Sequence, residues 1–299
     1  MTTTTTIATH AFTTQDIEYL RHGAKPLLLR LYTPEGRGPF PVVVELHGGA
    51  WSSGDRTLEH FRHDALAQSG LAVASLDFRQ GKEGAYPLQV ADINYAVRWV
   101  KAHAKEFKLD PGRVGISGQS SGAHLAMLVA MRPNDPRYAA IALPAGTPQT
   151  DASVRAVAMS WPVINPLSRF RHALRENERG AAWAAGPIQG HRDYWPGEAD
   201  MADGNPVLIL ERGEKVRTPP ALWIQTPNDP QHNYRDPDGA FEGNEPERFA
   251  DRYRKAGGAI DLVYFDAPQR FTSVAPTSPA SIDAFRRISS FFHKHLAEG

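Results

Sequence analysis

No cysteine occurs among the 299 residues, which excludes disulfides, thiolate nucleophiles and cysteine-ligated metals together. Neither sign of charge is in excess, lysine plus arginine equalling aspartate plus glutamate at 33 each. No net field therefore draws nucleic acid or an anionic membrane, and a small neutral or weakly charged molecule is the favoured partner. No apolar run reaches the roughly eighteen residues a membrane span needs, and Met1 to His10 has neither a basic nor an apolar leader segment. A soluble, cytoplasmic protein is the expectation. No phosphate loop, dinucleotide fingerprint or metal-ligand spacing is present, so no cofactor is expected. Asp236, Asp238, Glu242 and Glu245 are close in sequence but fit no metal-ligand pattern.

With no repeat and no long linker, residues 1–299 read as a single domain. The low-complexity run Thr2 to Thr6 marks residues 1–14 as a flexible tail. Short runs rich in Val, Ile and Leu at residues 27–32, 42–46, 71–78, 114–117, 154–160, 221–225 and 260–265 predict strands buried on both faces. Helical periodicity lies between them: Val90, Ile93, Val97, Val100 and Ala104 form one stripe, and Ile282, Phe285, Ile288, Phe292 and Leu296 another. This alternation predicts an α/β fold, a doubly wound and mostly parallel sheet whose ligands sit beyond the carboxyl ends of the strands. Residues 163–218 hold no clear strand and predict a cap of helices and loop over that edge. The aromatic and arginine content of residues 170–195 is compatible with an aromatic or acidic acyl group.

Two motifs fall where strands end. Gly118-Gln119-Ser120-Ser121-Gly122 lies between a strand and a helix that starts with small residues. A serine flanked by glycines in that setting is held outward on a tight turn at a helix N-terminus, where amides and dipole favour developing negative charge. His47-Gly48-Gly49-Ala50-Trp51 follows the strand 42–46. Consecutive glycines let main-chain N–H groups approach an oxyanion unobstructed, so Gly48 and Gly49, with the Ser121 amide, are the candidate donors. A histidine on such a loop is expected to brace the turn, which makes His47 structural.

These residues, with Ser52-Ser53-Gly54-Asp55, Asp110-Pro111-Gly112-Arg113-Val114 and His124-Leu125-Ala126, resemble the HGG-bearing branch of the α/β-hydrolase fold. That branch holds carboxylesterases and acetyl-esterases related to hormone-sensitive lipase and to bacterial feruloyl or xylan esterases. The resemblance spans roughly residues 25 to 132 and implies acyl transfer on a small-molecule ester, with Ser120 as nucleophile and His124 structural. Arylformamidase-like members share the HGG-x-Trp start, so amide or formamide hydrolysis is a neighbouring reading. Family order places the acid after the strand that follows the cap, which selects Asp229, with Asp236 and Asp238 as rivals, and the histidine after the last strand.

That histidine is missing. Of twelve histidines none lies between His232 and His293, and the Phe271 anchor puts Gln269 where the imidazole belongs. Glutamine could accept from Ser120 and donate towards Asp229, but it takes no proton near neutral pH. Three readings follow: a His-to-Gln variant impaired in turnover, favoured because the remaining site is intact; a substitute base, for which His232 is the late-chain candidate; or a non-catalytic ligand-binding protein.

Overall fold

The computed structural model describes residues 9–297. The threonine run at 2–6 lies outside them. The elements follow in the order β1 (Phe12–His22), β2 (Lys25–Pro34), β3 (Phe40–Leu46), α1 (His60–Gln68), β4 (Ala72–Leu76), α2 (Leu88–Ala102), β5 (Leu109–Gln119), α3 (Ser121–Met131) and β6 (Val157–Ser160). Then come α4 (Pro166–Glu178), α5 (Ala185–Tyr194), α6 (Glu198–Asp203), α7 (Pro206–Glu211), β7 (Ala221–Gln225), α8 (Glu245–Lys255), β8 (Ile260–Tyr264), α9 (Phe271–Val274) and α10 (Pro279–His295).

The eight strands form one sheet in the order β1-β2-β4-β3-β5-β6-β7-β8. Pairing is antiparallel from β1 through β2 to β4 and parallel from β4 to β8. Each parallel crossover needs a connection over a sheet face, which the helices supply. The central strands read as near-continuous apolar runs because both faces are covered. In β3, Val42, Val44 and Leu46 point into one core and Val43 into the other.

Residues 12–14, expected in a tail, instead open β1. The strand was missed because it is an edge strand with one wet face. Its core-packed residues Phe12, Ile17, Tyr19 and Leu20 are interspersed with exposed threonine, glutamine, aspartate and glutamate. Tyr19 ties it to the sheet by donating to the Asp77 carbonyl at 2.5 Å.

Between β6 and β7 the chain forms helices α4 to α7 and no strand. Asn165 caps α4 by accepting from Ser168 N–H at 3.1 Å, and Asn205 caps α7 by accepting from Leu208 N–H at 3.1 Å. The two caps are linked: Asn205 donates to Asn165 Oδ1 at 2.7 Å, and Asn165 donates to Glu245 of α8 at 2.8 Å. This buried chain fixes α4 against the body of the molecule. Three of the four acidic residues singled out at 236–245 are engaged by basic partners. Asp238 pairs with Arg175, Asp236 with Arg248, and Glu245 with Arg248. Among the described residues no helix is long and apolar enough to cross a membrane.

Candidate active site

Strand β5 delivers Ser120 to the carboxyl edge of the sheet. Ser120 has φ 49° and ψ −120°, a strained conformation for a residue with a side chain. The flanking glycines are required by contact: a methyl at Gly118 would sit 2.6 Å from the Gly122 carbonyl carbon, and one at Gly122 would sit 2.3 Å from the His47 carbonyl oxygen. Strand, turn and helix pack backbone to backbone there. The strain is held by hydrogen bonds on both sides, Ser120 N–H donating to Ser160 O at 2.9 Å and Val163 N–H donating to Ser120 O at 3.2 Å.

The loop after β3 runs alongside. A methyl on Gly48 would lie 3.4 Å from Ser120 Cβ, so this backbone is in contact with the nucleophile turn. Neither the Gly48 nor the Gly49 N–H donates to an acceptor among the described residues, and Ser121 opens α3, whose first-turn amides lack helical partners. Gly49 has φ 112°, which turns the chain so that its carbonyl accepts from the N–H groups of Ser52 and Ser53 at 3.0 and 3.1 Å. His47 braces this loop, stacking on Phe78 at 4.2 Å with Nδ1 2.7 Å from Gly48 O. Burial holds its pKa below the usual histidine range, and it does not reach Ser120.

Trp51 anchors the cap. Its ring stacks on Tyr194 at 5.3 Å and meets His191, His124 and Trp195 edge-on. Its indole N–H donates to His124 Nδ1 at 3.2 Å, so His124 must carry its proton on Nε2, which donates to Gly204 O at 2.8 Å. Burial pushes the pKa of His124 down to about 4, so the ring is neutral and structural. Cap helix α5 seats directly on the glycine loop, since a methyl at Gly190 would lie 2.6 Å from Ala50 Cβ.

On the opposite side, the turn after β7 carries Asp229 and His232. His232 Nε2 lies 3.1 Å from Ser120 Oγ, and His232 Nδ1 lies 2.9 Å from Asp229 Oδ2. Both side chains are buried. The turn closes through its own backbone, with His232 and Asn233 N–H donating to Asp229 O at 3.2 and 2.7 Å. Asp229 Oδ1 accepts from the N–H groups of Gln231 and His232 and from Gln269 Nε2 at 2.8 Å, and Oδ2 also accepts from Gln225 at 3.3 Å. Burial pushes this carboxyl up, but the His232 imidazole and these donors hold it below the usual carboxylate range.

Gln269 therefore does not take the position expected of it. It makes the anticipated bond to Asp229 but none to Ser120, whose hydroxyl is met by His232. The imidazole that meets Ser120 is that of His232, three residues after Asp229. Asp236 and Asp238 face arginines instead.

Gly48, Gly49, Ser120 and His232 line a cavity of about 520 Å³ whose wall also includes Gly186, Pro187, Gly190 and Asp193 of α5. Sequence reasoning missed three contributors. Gln119 donates to Glu59 at 2.8 Å, and Ser273 donates to the same carboxylate at 2.6 Å, tying the turn to α9 from below. The third is the buried Arg169, which also lines the cavity.

Comparisons with known proteins agree with this architecture. Residues 29–194 match the BD-FAE family. LipM of Mycobacterium tuberculosis, a probable carboxylic ester hydrolase, is 35% identical over 138 residues, covering 46% of this chain and 31% of that protein. LipN of the same organism, a carboxylic ester hydrolase, is 30% identical over 281 residues, covering 90% of this chain and 67% of LipN. The chain thus spans about a third of the length of the first of these relatives. An esterase of Pyrobaculum calidifontis superposes with a TM-score of 0.74 at 23% identity, covering 94% of this chain and 83% of the other. A thermostable carboxylesterase from a metagenomic library gives 0.73 at 23% identity, covering 98% and 92%. At such identities the superpositions speak for the fold, while the sequence matches extend from β2 to the cap and, with LipN, over nearly the whole length. On that evidence the chain belongs to the BD-FAE family and has the α/β-hydrolase fold.

Proposed function

We propose that this protein is a serine hydrolase acting on small-molecule carboxylic esters through an acyl-enzyme, with Ser120, His232 and Asp229 as its triad. The observation that carries the reading is the continuous chain from Ser120 Oγ to His232 at 3.1 Å and on to Asp229 at 2.9 Å, at the strand ends and beside unfilled amides. In the first step Ser120 Oγ attacks the ester carbonyl carbon and its proton passes to His232 Nε2. Asp229 holds the Nδ1–H tautomer and stabilises the imidazolium. The oxyanion takes hydrogen bonds from the N–H groups of Gly48, Gly49 and Ser121. His232 then returns the proton to the leaving alkoxide, and a water activated by the same imidazole releases the acid.

Gln269 is a positioning residue in this scheme. Its amide donates to the Asp229 oxygen that does not face the imidazole, keeping the carboxylate ionised and oriented. A base already in contact with Ser120 removes the motive for reading the chain as an impaired His-to-Gln variant or as a non-catalytic binder. The deciding experiment measures 4-nitrophenyl acetate hydrolysis and fluorophosphonate labelling in wild type, His232→Ala and Gln269→His. Turnover that disappears in His232→Ala and does not rise in Gln269→His supports the reading. An inert wild type that Gln269→His activates by orders of magnitude would overturn it.

A further inference from the structure

The cavity holds one charge that acyl transfer does not use. Arg169 lies in the first turns of α4, buried to 3% exposure, and lines the cavity with Gly48, Ser120 and His232. Its guanidinium makes one hydrogen bond among the described residues, a long one of 3.4 Å from Nη2 to Gln231 Oε1. Nε and Nη1 are buried without any acceptor. Two other buried arginines differ in having carboxylate partners, although Nε and Nη1 of Arg62 also lack acceptors. Arg62 pairs with Glu45 at 2.7 Å, and Arg248 with Glu211 at 2.8 Å and Glu245 at 3.0 Å. Asp229 acts on Arg169 only from a distance and is engaged by His232, Gln225 and Gln269. Burial draws the Arg169 pKa down to about 10, which still leaves the group charged at neutral pH.

A buried cation without a paired carboxylate costs several kcal/mol of desolvation, which one long hydrogen bond and the distant Asp229 offset only in part. An oxyanion entering the cavity would offset it. Arg270 adds an exposed cation and Asp193 one carboxylate, which accepts from Gln189 at 3.0 Å, so with Arg169 the arginines and carboxylates of the wall sum to one positive charge. Helix α4 cannot swing Arg169 away, because the Asn205–Asn165–Glu245 chain fixes its first turn. The cavity, at about 520 Å³, has the size of a small-molecule site.

We propose that Arg169 is an anion-recognition residue and that the preferred substrates are esters carrying a carboxylate. This rests on the reading of Ser120 as an esterase nucleophile and deepens it by naming the substrate class.

The test compares two pairs of esters in the wild type. The 4-nitrophenyl monoester of glutaric acid is set against 4-nitrophenyl valerate, which places the charge in the acyl group. Then 4-acetoxybenzoate is set against its methyl ester, which places the charge on the alcohol side. The expected result is a kcat/KM ratio of about tenfold or more in favour of the charged member of one pair. That ratio should fall to near one in Arg169→Met, through KM rather than kcat, and recover in part in Arg169→Lys. Arg169→Met should also melt no lower than wild type, since it removes an uncompensated buried charge. No preference in either pair, or a preference that survives in Arg169→Met, overturns the proposal while leaving the esterase reading intact. A wild type that hydrolyses none of the four esters and resists fluorophosphonate overturns both.

Discussion

Around Ser120 the backbone approaches itself so closely that a single methyl at Gly118 or Gly122 would collide with main-chain atoms. Around Asp229 no such contact exists; a five-donor hydrogen-bond set organises one short turn, and three of its donors are side-chain groups, from Gln225, His232 and Gln269. The Ser120 half is fixed by sterics and the half proposed for proton transfer by polar bonds. The first kind of constraint is all-or-none and the second is graded, because a close-packed backbone has no alternative arrangement whereas a lost hydrogen bond costs only about 1–3 kcal/mol.

The largest effects test whether both halves belong to one machine. Ser120→Ala and His232→Ala should each lower kcat for 4-nitrophenyl acetate by about 10⁴ or more. If His232→Ala retained turnover, the polar half would have no share in the chemistry. The steric half is probed next by Gly122→Ala. Its new methyl would sit 2.3 Å from the His47 carbonyl oxygen and 2.4 Å from that of Leu46, so the strand, the glycine loop or the helix must shift. A loss of about 3 kcal/mol in unfolding free energy by urea titration is expected, together with loss of labelling at Ser120. An unchanged midpoint would show that this backbone is more yielding than its contacts imply.

A pH titration of stability reaches the same half through its buried histidines. His124 and His191 are held by burial at pKa values of about 4 and about 3, against about 6.5 in an unfolded chain. Below about pH 6.5 the unfolded state binds protons that the folded state does not, so stability is complete above that value and declines as pH falls towards 4. The expected loss is on the order of a few kcal/mol at pH 4.5, measured as the urea midpoint. A flat profile between pH 7 and 4.5 would contradict the neutral, buried state of these rings.

The smallest effect belongs to Gln269. Gln269→Ala removes one of the five donors to Asp229 and should lower kcat about tenfold with the melting temperature nearly unchanged. A drop of 10³ or more would place Gln269 in the proton path and erase the distinction between the two halves.

The same distinction explains what could be read from the chain alone. The placement of Gly48, Gly49 and Ser120 together at a strand end was legible because sterics there leave few alternatives, and the residues that satisfy them are contiguous. Asp229 was legible from element order. His232 was named only as a substitute base, because family order puts the histidine after β8, while hydrogen-bond geometry is equally satisfied by an imidazole three residues beyond Asp229. The Asp229-Pro230-Gln231-His232 spacing carried that signal, and the search for a His-x-Phe ending drew attention from it. Edge strand β1 was hidden by its polar face. Arg169 could not be found from sequence, since its significance lies in the partner it lacks, and pairing is a property of the folded chain alone.

Housing acid and base on a single turn between Pro227 and Asn233 changes which movements matter. A shift of that segment carries Asp229 and His232 as one rigid jaw, so their mutual alignment survives while only the opening to Ser120 varies. Both groups then approach Ser120 through one short segment, and the segment following β8 bears on them through the Gln269 bond to Asp229.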